Sequence, residues 1–227
     1  MGITIQMKLN ERLYLRDPQD TKLGRRIIQH SILLIDEIGF ESFTFKKLAD
    51  QINSTEASVY RYFENKHLLL VYLVCWYWEW MKFRIDFNTM NIDSPKQKLS
   101  IALSTIVDTT RRNTSIDFVD EDVLHRIVVA EATKAYHTKE VDKENSRGFF
   151  LTYKTLSKKI ADIIAEINPT FQYPRALAST LLEMANNHIY FALHLPSLTD
   201  ITIENDDMGP VEKLLEHFAF GLICNGK

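Results

Sequence analysis

Apolar residues recur along this chain with the period of about 3.6 residues that is typical of amphipathic α-helices. No Asn-Gly or Asp-Gly pair joins two alternating segments, so the pattern indicates no β-hairpin. About nine helices are predicted, at residues 21–38, 44–51, 55–62, 65 to beyond 83, 95–112, 120–136, 146–167, 174–195 and 210–224. We therefore expect an all-α protein.

Start and stop signals support several of these helices. The segment Ser94-Pro95-Lys96-Gln97 places a serine at the N-cap and a proline at the first helical position. Gly39 supplies a left-handed cap at the end of the first predicted helix. Thr44 and Asp120 each cap the helix that follows, and Pro210 opens the last helix after a predicted loop at 196–210.

Residues 43–70 hold the pattern that is most informative about function. Four residues in this segment are spaced so that two short helices can pack at a steep angle: Leu48, Ala49, Ile52 and Val59. Asn53 tolerates the left-handed conformation that the intervening turn needs, and Thr55 is a residue type suited to the N-cap of the second helix. The segment predicts a helix-turn-helix whose second helix presents its N-terminus to the major groove of DNA.

The same segment resembles the DNA-binding region of the tetracycline-repressor (TetR) family of bacterial transcriptional regulators. The family pattern is matched without a gap by Gly39-Phe40, Thr44, Leu48-Ala49, Val59-Tyr60-Arg61-Tyr62-Phe63 and Lys66. Four positions depart from the family pattern: Asn53, Ser54, Glu56 and Ala57. The match covers about 50 residues, and the rest of the chain is similar to the family only in the number and length of its helices.

The resemblance implies a DNA-binding role for ten residues. Base edges would be faced by Thr55, Glu56, Ala57 and Ser58. Phosphates or the DNA backbone would be contacted by Thr44, Lys46, Tyr60, Arg61, Tyr62 and Lys66, with Lys22, Arg25 and Arg26 reaching flanking phosphates. Alternatively, Tyr60 and Phe63 are core aromatics, and Lys46, Lys47 and Arg61 form a solvated face. Glu56 is open to three interpretations, because it could read cytosine, favour the helix dipole or repel phosphate.

The resemblance also implies a domain organisation. We expect an N-terminal arm at 1–19, a three-helix DNA-binding domain at 20–68, and a helical ligand-binding and dimerisation domain at 69–227. The long fourth helix would join the two domains. The arm contains basic residues for a minor groove, but also enough large apolar residues to pack on the DNA-binding domain, and both alternatives remain open.

The C-terminal two thirds carry two candidate functions. Apolar stripes on the helices at 174–195 and 210–224 would form a homodimer as a four-helix bundle, as the resemblance implies. An effector pocket could be built from aromatic and polar residues: Trp80, Phe83, His125, Tyr153, Asn187 and His188, with Glu131 and Tyr190 as further polar candidates. Core packing is the alternative for the aromatic residues on the fourth helix.

Composition and charge narrow the class of protein. The net charge is −3, and residues 1–67 hold ten basic and nine acidic residues, so charge alone does not indicate DNA binding. The longest apolar stretch, at 68–78, is too short to span a bilayer, and no signal peptide is readable. We therefore expect a cytoplasmic location and no membrane partner. No catalytic constellation, metal signature or cofactor motif is readable, so neither an enzyme nor a cofactor is expected.

Together these observations predict a TetR-like transcriptional regulator, acting as a repressor. It would bind a near-palindromic DNA operator as a homodimer and be released by an unknown small-molecule effector. The alternative is an all-α ligand-binding or interaction protein whose helix-turn-helix no longer binds DNA. Glu56 and the nearly neutral charge of the N-terminal third favour that alternative.

Overall fold

The computed structural model describes residues 5–110 and 116–225 of the chain. Within these residues it is built from ten α-helices, with no β-strand, which confirms the all-α prediction. The helices are α1 (Lys22–Ser42), α2 (Phe45–Gln51), α3 (Glu56–Tyr60), α4 (Lys66–Asn88), α5 (Pro95–Asp108), α6 (Glu121–Tyr136), α7 (Val141–Ser146), α8 (Leu151–Ile167), α9 (Pro174–His194) and α10 (Gly209–Asn225). No helix in the described part combines the length and apolar character that a bilayer crossing requires.

The predicted caps are present at the starts of four helices. Thr44, Thr55, Ser94 and Asp120 each accept a hydrogen bond from the backbone N–H three residues later, at 3.2, 3.2, 3.4 and 3.3 Å. Each bond satisfies one of the amide groups that a helix leaves without an internal partner. The short helices α2 and α3 are therefore fixed at their N-termini by their own side chains.

Two glycines shape the helices differently from the prediction. The helix predicted at 146–167 begins only at Leu151, as α8, because the chain turns at Gly148 with φ +79°, and the preceding short helix α7 was not predicted. Gly39 interrupts α1 with φ 75° and ψ 155°, a region that only glycine enters readily, and one more turn then follows to Ser42. The helix predicted to reach residue 112 ends at Asp108, and residue 112 lies outside the described part.

By its internal packing the chain divides into two compact units. The first consists of residues 1–80 and 111–152, and the second of residues 81–110 and 153–227. The helix-turn-helix therefore shares a unit with α6 and α7, and α4 contributes residues to both units. The functional boundary expected near residue 69 stays a prediction.

The described part of the arm packs against other residues of the first unit. Met7, Leu9 and Leu13 are buried, and the Gln19 side chain exchanges two hydrogen bonds with the Met7 backbone, at 2.9 and 2.8 Å. Farther along, the Leu15 amide donates to the Tyr62 carbonyl at 2.8 Å. Of the two alternatives for the arm, the structure therefore shows packing on the DNA-binding domain.

In the second unit, α5, α9 and α10 pack against one another. Their shared core contains fully buried aliphatic side chains: Leu99, Leu103, Ile106, Leu181, Leu182 and Leu215. Burial of aliphatic side chains of this size is the main source of stability in such a helical unit.

Candidate nucleic-acid interface

The helix-turn-helix is held together by the apolar residues that its sequence pattern singled out. Leu48, Ala49, Ile52 and Val59 are all buried. Asn53 has φ 47° in the turn between α2 and α3, as predicted. The turn is closed by a backbone hydrogen bond of 2.9 Å from the Ser54 amide to the Ala49 carbonyl. The orientation of α3 against α2 is therefore set by a small core and one left-handed residue.

The first turn of α3 faces solvent. Thr55, Glu56 and Ala57 are exposed, and Ser58 is half-buried. The Ser58 and Thr55 hydroxyl oxygens lie 2.8 Å apart, so the two polar side chains are ordered at the start of the helix. Glu56 makes no ion pair with another described residue. This turn offers two hydroxyl groups and one carboxylate, which are groups that can hydrogen-bond to base edges in the major groove.

Three of the predicted phosphate contacts, Lys46, Tyr60 and Arg61, are exposed on the surface of the helix-turn-helix. Tyr60 is 46% exposed, and its ring packs edge-on against Phe45 with 5.0 Å between ring centroids. Lys46 and Arg61 are exposed, and neither makes an ion pair or a side-chain hydrogen bond within the described part of the chain. Their charges are therefore available to an anionic partner.

The structure places Tyr62 and Lys66 elsewhere than the resemblance implies. Tyr62 is only 3% exposed, and its hydroxyl lies 2.7 Å from that of Thr21. The Lys66 ammonium donates to the carbonyls of Phe40, Glu41 and Phe43 at 3.0, 3.0 and 3.2 Å. Because an ammonium has only three N–H donors, none remains for a phosphate. Tyr62 therefore lies inside the DNA-binding domain, and the half-buried Lys66 binds the backbone of that domain, which differs from the phosphate contacts that the resemblance implies.

The basic residues at the start of α1 differ in their availability. Arg25 donates to the Gln19 carbonyl at 2.7 Å and lies over the Phe118 ring, and Arg26 donates to the Ile52 carbonyl. Lys22 is exposed and has no partner among the described residues. Arg26 is also exposed, so Lys22 and Arg26 are the two of the three that lie on the surface for a flanking phosphate.

The candidate pocket residues are divided between the two units. In the first unit, Trp80 is buried and stacks on Trp76 with 6.1 Å between ring centroids, and His125 is buried beside Tyr77. In the second unit, Phe83 is 38% exposed. Three more candidates of the second unit line one open cavity of about 520 Å³: Tyr153, Asn187 and His188.

That cavity is lined by both hydrogen-bonding and apolar side chains. Tyr153 donates a hydrogen bond of 2.8 Å to Glu183, and burial together with the Glu183 carboxylate raises the pKa of its phenol. His188 shares a hydrogen bond of 2.8 Å with Thr199. Met184 and Phe191 supply apolar surface. Across residues 5–110 and 116–225, no group of three His, Cys, Asp or Glu side chains could hold a metal ion.

Two contacts of the DNA-binding domain were not foreseen from the sequence. The Arg16 guanidinium lies over the Tyr62 ring, 5.7 Å from its centroid. Glu131, considered above only as a polar group for a pocket, instead accepts a hydrogen bond from the Phe40 amide. Since Phe40 and Glu131 are 91 positions apart, no local sequence signal connects them.

Comparison with known proteins confirms the family resemblance. The family model for bacterial regulatory proteins of the tetR family matches residues 27–73. This range begins inside α1 and ends inside α4, so it contains the whole helix-turn-helix. No curated protein matches the chain.

Several solved structures share the fold. AibR in complex with isovaleryl coenzyme A and operator DNA has a TM-score of 0.59 and 15% identity, with 85% of this chain and 96% of that chain covered. The fatty acid degradation regulator FadR from Bacillus halodurans has a TM-score of 0.60 and 13% identity, covering 88% and 94%. The superantigen PfiT has a TM-score of 0.59 and 12% identity, covering 87% and 95%. At these identities the likeness shows the fold alone.

Proposed function

Because residues 27–73 belong to the tetR family of bacterial regulatory proteins and the chain has the fold of such regulators, we propose that it is a transcriptional repressor. It binds a near-palindromic operator as a homodimer and is released by a small-molecule effector. Such a protein acts on DNA in the cytoplasm. The observation that carries the proposal is the solvent-facing first turn of α3, together with the exposed cations of Lys46 and Arg61, which have no ion-pair partner among the described residues.

The proposed interface makes two kinds of contact with DNA. Thr55, Glu56, Ala57 and Ser58 read base edges, since these residues form the exposed start of α3. Phosphates are contacted by residues on the surface around them: Lys22, Thr44, Lys46, Tyr60 and Arg61. Phosphate contacts fix the protein on the duplex, and base contacts select the sequence.

The dimer is proposed to form through α9 and α10. Both helices keep large apolar side chains on the surface of the single chain, among them Leu193 on α9 and Phe218 and Leu222 on α10. Burying these side chains against a second copy would remove apolar area from water. A twofold dimer would also present two copies of α3 to half-sites roughly 34–36 Å apart.

The effector is proposed to bind in the helical body that follows the DNA-binding domain. The cavity lined by Tyr153, Asn187 and His188 supports this part of the proposal, because it combines apolar surface with hydrogen-bonding groups. AibR, which shares the fold, has been crystallised with both isovaleryl coenzyme A and operator DNA. Release follows if the effector favours a dimer in which the two copies of α3 no longer match the half-sites, with a coupling of about 1–3 kcal/mol.

The proposal is tested by fluorescence anisotropy with DNA from upstream of the chain's own gene, at several salt concentrations. Specific binding with a steep salt dependence, reflecting roughly 6–10 neutralised phosphates, is the expected result. Replacing Glu56 or Ser58 by Ala should change which operator sequence is preferred, whereas replacing Tyr60 by Phe should weaken all sequences alike. Binding no stronger than to random DNA across a genomic fragment library would favour the alternative, an interaction protein with a vestigial helix-turn-helix.

A further inference from the structure

The turn at residues 40–43, which follows the kink of α1 at Gly39, sets the position where α2 begins. It is closed by a hydrogen bond of 3.2 Å from the Phe43 amide to the Gly39 carbonyl and leads directly to Thr44, the N-cap of α2. Because Gly39 lies in a backbone region that residues with a Cβ avoid, it separates α1 from the turn that follows. Contacts to residues 40–43 therefore set the position of Thr44 and of α2.

Glu131 of α6 binds this turn directly. Its side chain is only 12% exposed, and one carboxylate oxygen accepts a hydrogen bond of 3.1 Å from the Phe40 amide. The other oxygen lies 2.6 Å from the Lys134 ammonium, which also pairs with Glu41 at 3.1 Å. Hydrogen bonds to Glu131 and then to Glu41 raise the pKa of Lys134, so the lysine stays charged and compensates the buried carboxylate.

Helix α4 binds the carbonyl groups of the same turn. Lys66 donates to three of its carbonyls and lies over the Phe40 ring, 4.8 Å from the centroid. The amide of Phe40 is thus held by an anion from α6, and the carbonyls that follow are held by a cation from α4. An amide or carbonyl deprived of such a partner while buried would cost more than an ordinary hydrogen bond contributes.

We propose that Glu131 is a positioning residue for operator binding, which fixes the turn at residues 40–43 and thereby couples the placement of α6 to that of Thr44 and α2. This inference rests on the proposed function. A shift of α6 that withdraws the Glu131 carboxylate would free the Phe40 amide and move α2, without any change in the residues that touch DNA. This coupling is non-covalent and is additional to the covalent connection that α4 provides.

A second link between α6 and α1 provides a matched control. The Arg126 guanidinium forms two hydrogen bonds with Asp36, at 3.0 and 2.8 Å. Asp36 precedes Gly39, so this pair fixes the body of α1 and not the turn. Both links join the same two helices, and only one of them reaches the turn.

The experiment compares Glu131→Ala, Glu131→Asp, Glu131→Gln and Arg126→Ala in the full chain. Affinity for the operator is measured by anisotropy at a temperature where circular dichroism shows each variant folded. We expect Glu131→Ala and Glu131→Asp to weaken operator binding about tenfold, because the carboxylate is absent or too short to reach the amide. Glu131→Gln keeps an acceptor oxygen and should stay within about threefold of the wild type, as should Arg126→Ala.

Hydrogen exchange at residues 40–44 gives a readout that needs no DNA. The amides of this segment should exchange faster in Glu131→Ala and Glu131→Asp than in Glu131→Gln or Arg126→Ala. Unchanged exchange in the Ala and Asp variants overturns the inference, as does an equal loss of operator affinity in Glu131→Ala and Arg126→Ala. If the wild type binds no operator while exchange responds as expected, the proposed function fails and the role of Glu131 in holding the turn stands.

Discussion

The hydroxyl oxygens of Tyr62 and Thr21 lie 2.7 Å apart, which joins the segment after the recognition helix α3 to the N-cap of α1. The same Thr21 oxygen accepts a hydrogen bond of 2.9 Å from the Gly24 amide. Two positions before Tyr62, Tyr60 is exposed on the surface proposed to bind DNA. The two tyrosines of this motif therefore differ in role: Tyr62 makes a hydrogen bond inside the domain, and Tyr60 is proposed to contact DNA.

Replacing each tyrosine by phenylalanine should distinguish the effect on stability from the effect on operator affinity. Tyr62→Phe removes one hydrogen bond inside the domain, so we expect the free energy of unfolding to fall by about 0.5–1.5 kcal/mol, with operator affinity within about twofold of the wild type. Tyr60→Phe removes a phosphate contact and should weaken operator binding by about threefold or more, with stability nearly unchanged. Urea unfolding and anisotropy measure the two quantities. The opposite pattern would return Tyr62 to the DNA interface.

Lys46→Ala should lower both operator affinity and its dependence on salt. Lys46 is exposed and unpaired within the described residues, so its charge is free to displace one counterion from a phosphate. The slope of log affinity against log salt concentration should become shallower by about one. Lys143→Ala is the control, since that lysine lies outside the helix-turn-helix and pairs with Glu140 at 3.1 Å. Equal slopes for the two variants would exclude a phosphate contact at Lys46.

Gly24→Ala should destabilise the docked arm. A Cβ atom at Gly24 would lie 2.3 Å from the Pro18 carbonyl oxygen and 2.5 Å from its Cα, and both are backbone atoms that cannot turn away. We expect a loss of about 1–3 kcal/mol, which corresponds to roughly 2–4 °C in Tm for each kcal/mol. Thermal unfolding followed by circular dichroism measures the change, and an unchanged Tm would show that Pro18 does not pack against α1 at Gly24.

Cys75 should be chemically inert while the chain is folded. Burial raises the pKa of its thiol to about 12, and the thiol donates to the Phe149 carbonyl at 3.0 Å. The raised pKa means that the reactive thiolate is scarce at pH 8 in the folded state. In Cys224→Ser, where Cys75 is the remaining thiol, a disulfide reagent should react only after denaturant is added. Rapid reaction under native conditions would show that this part of α4 opens.

Local features of the helix-turn-helix could be predicted from the sequence because their causes are local. Thr44 and Thr55 cap helices that start at the next residue, and Asn53 adopts φ 47° in a turn between short helices. The turn at Gly148 has an equally local cause, but the apolar periodicity at 146–167 predicts one continuous helix across it. Such features depend on residues a few positions apart in the chain.

The partners of Tyr62, Lys66 and Glu131 could not be predicted in the same way. Tyr62 bonds to a residue 41 positions away, and Lys66 bonds to carbonyls 23 to 26 positions away. A family motif gives the residue type at such a position, but a lysine that binds carbonyls and one that binds phosphate look the same in sequence. The packing of α6 and α7 with the DNA-binding domain is likewise tertiary.

A long-range hydrogen bond of the arm limits the order in which native contacts can form during synthesis. Asn10 donates a hydrogen bond of 2.8 Å to the carbonyl of Arg147, a residue 137 positions later. Because Arg147 follows α6 and α7, this contact cannot form until both helices have been synthesised. The arm can therefore complete its native contacts only after 137 further residues have been made, and a nascent chain truncated before residue 147 cannot form this hydrogen bond.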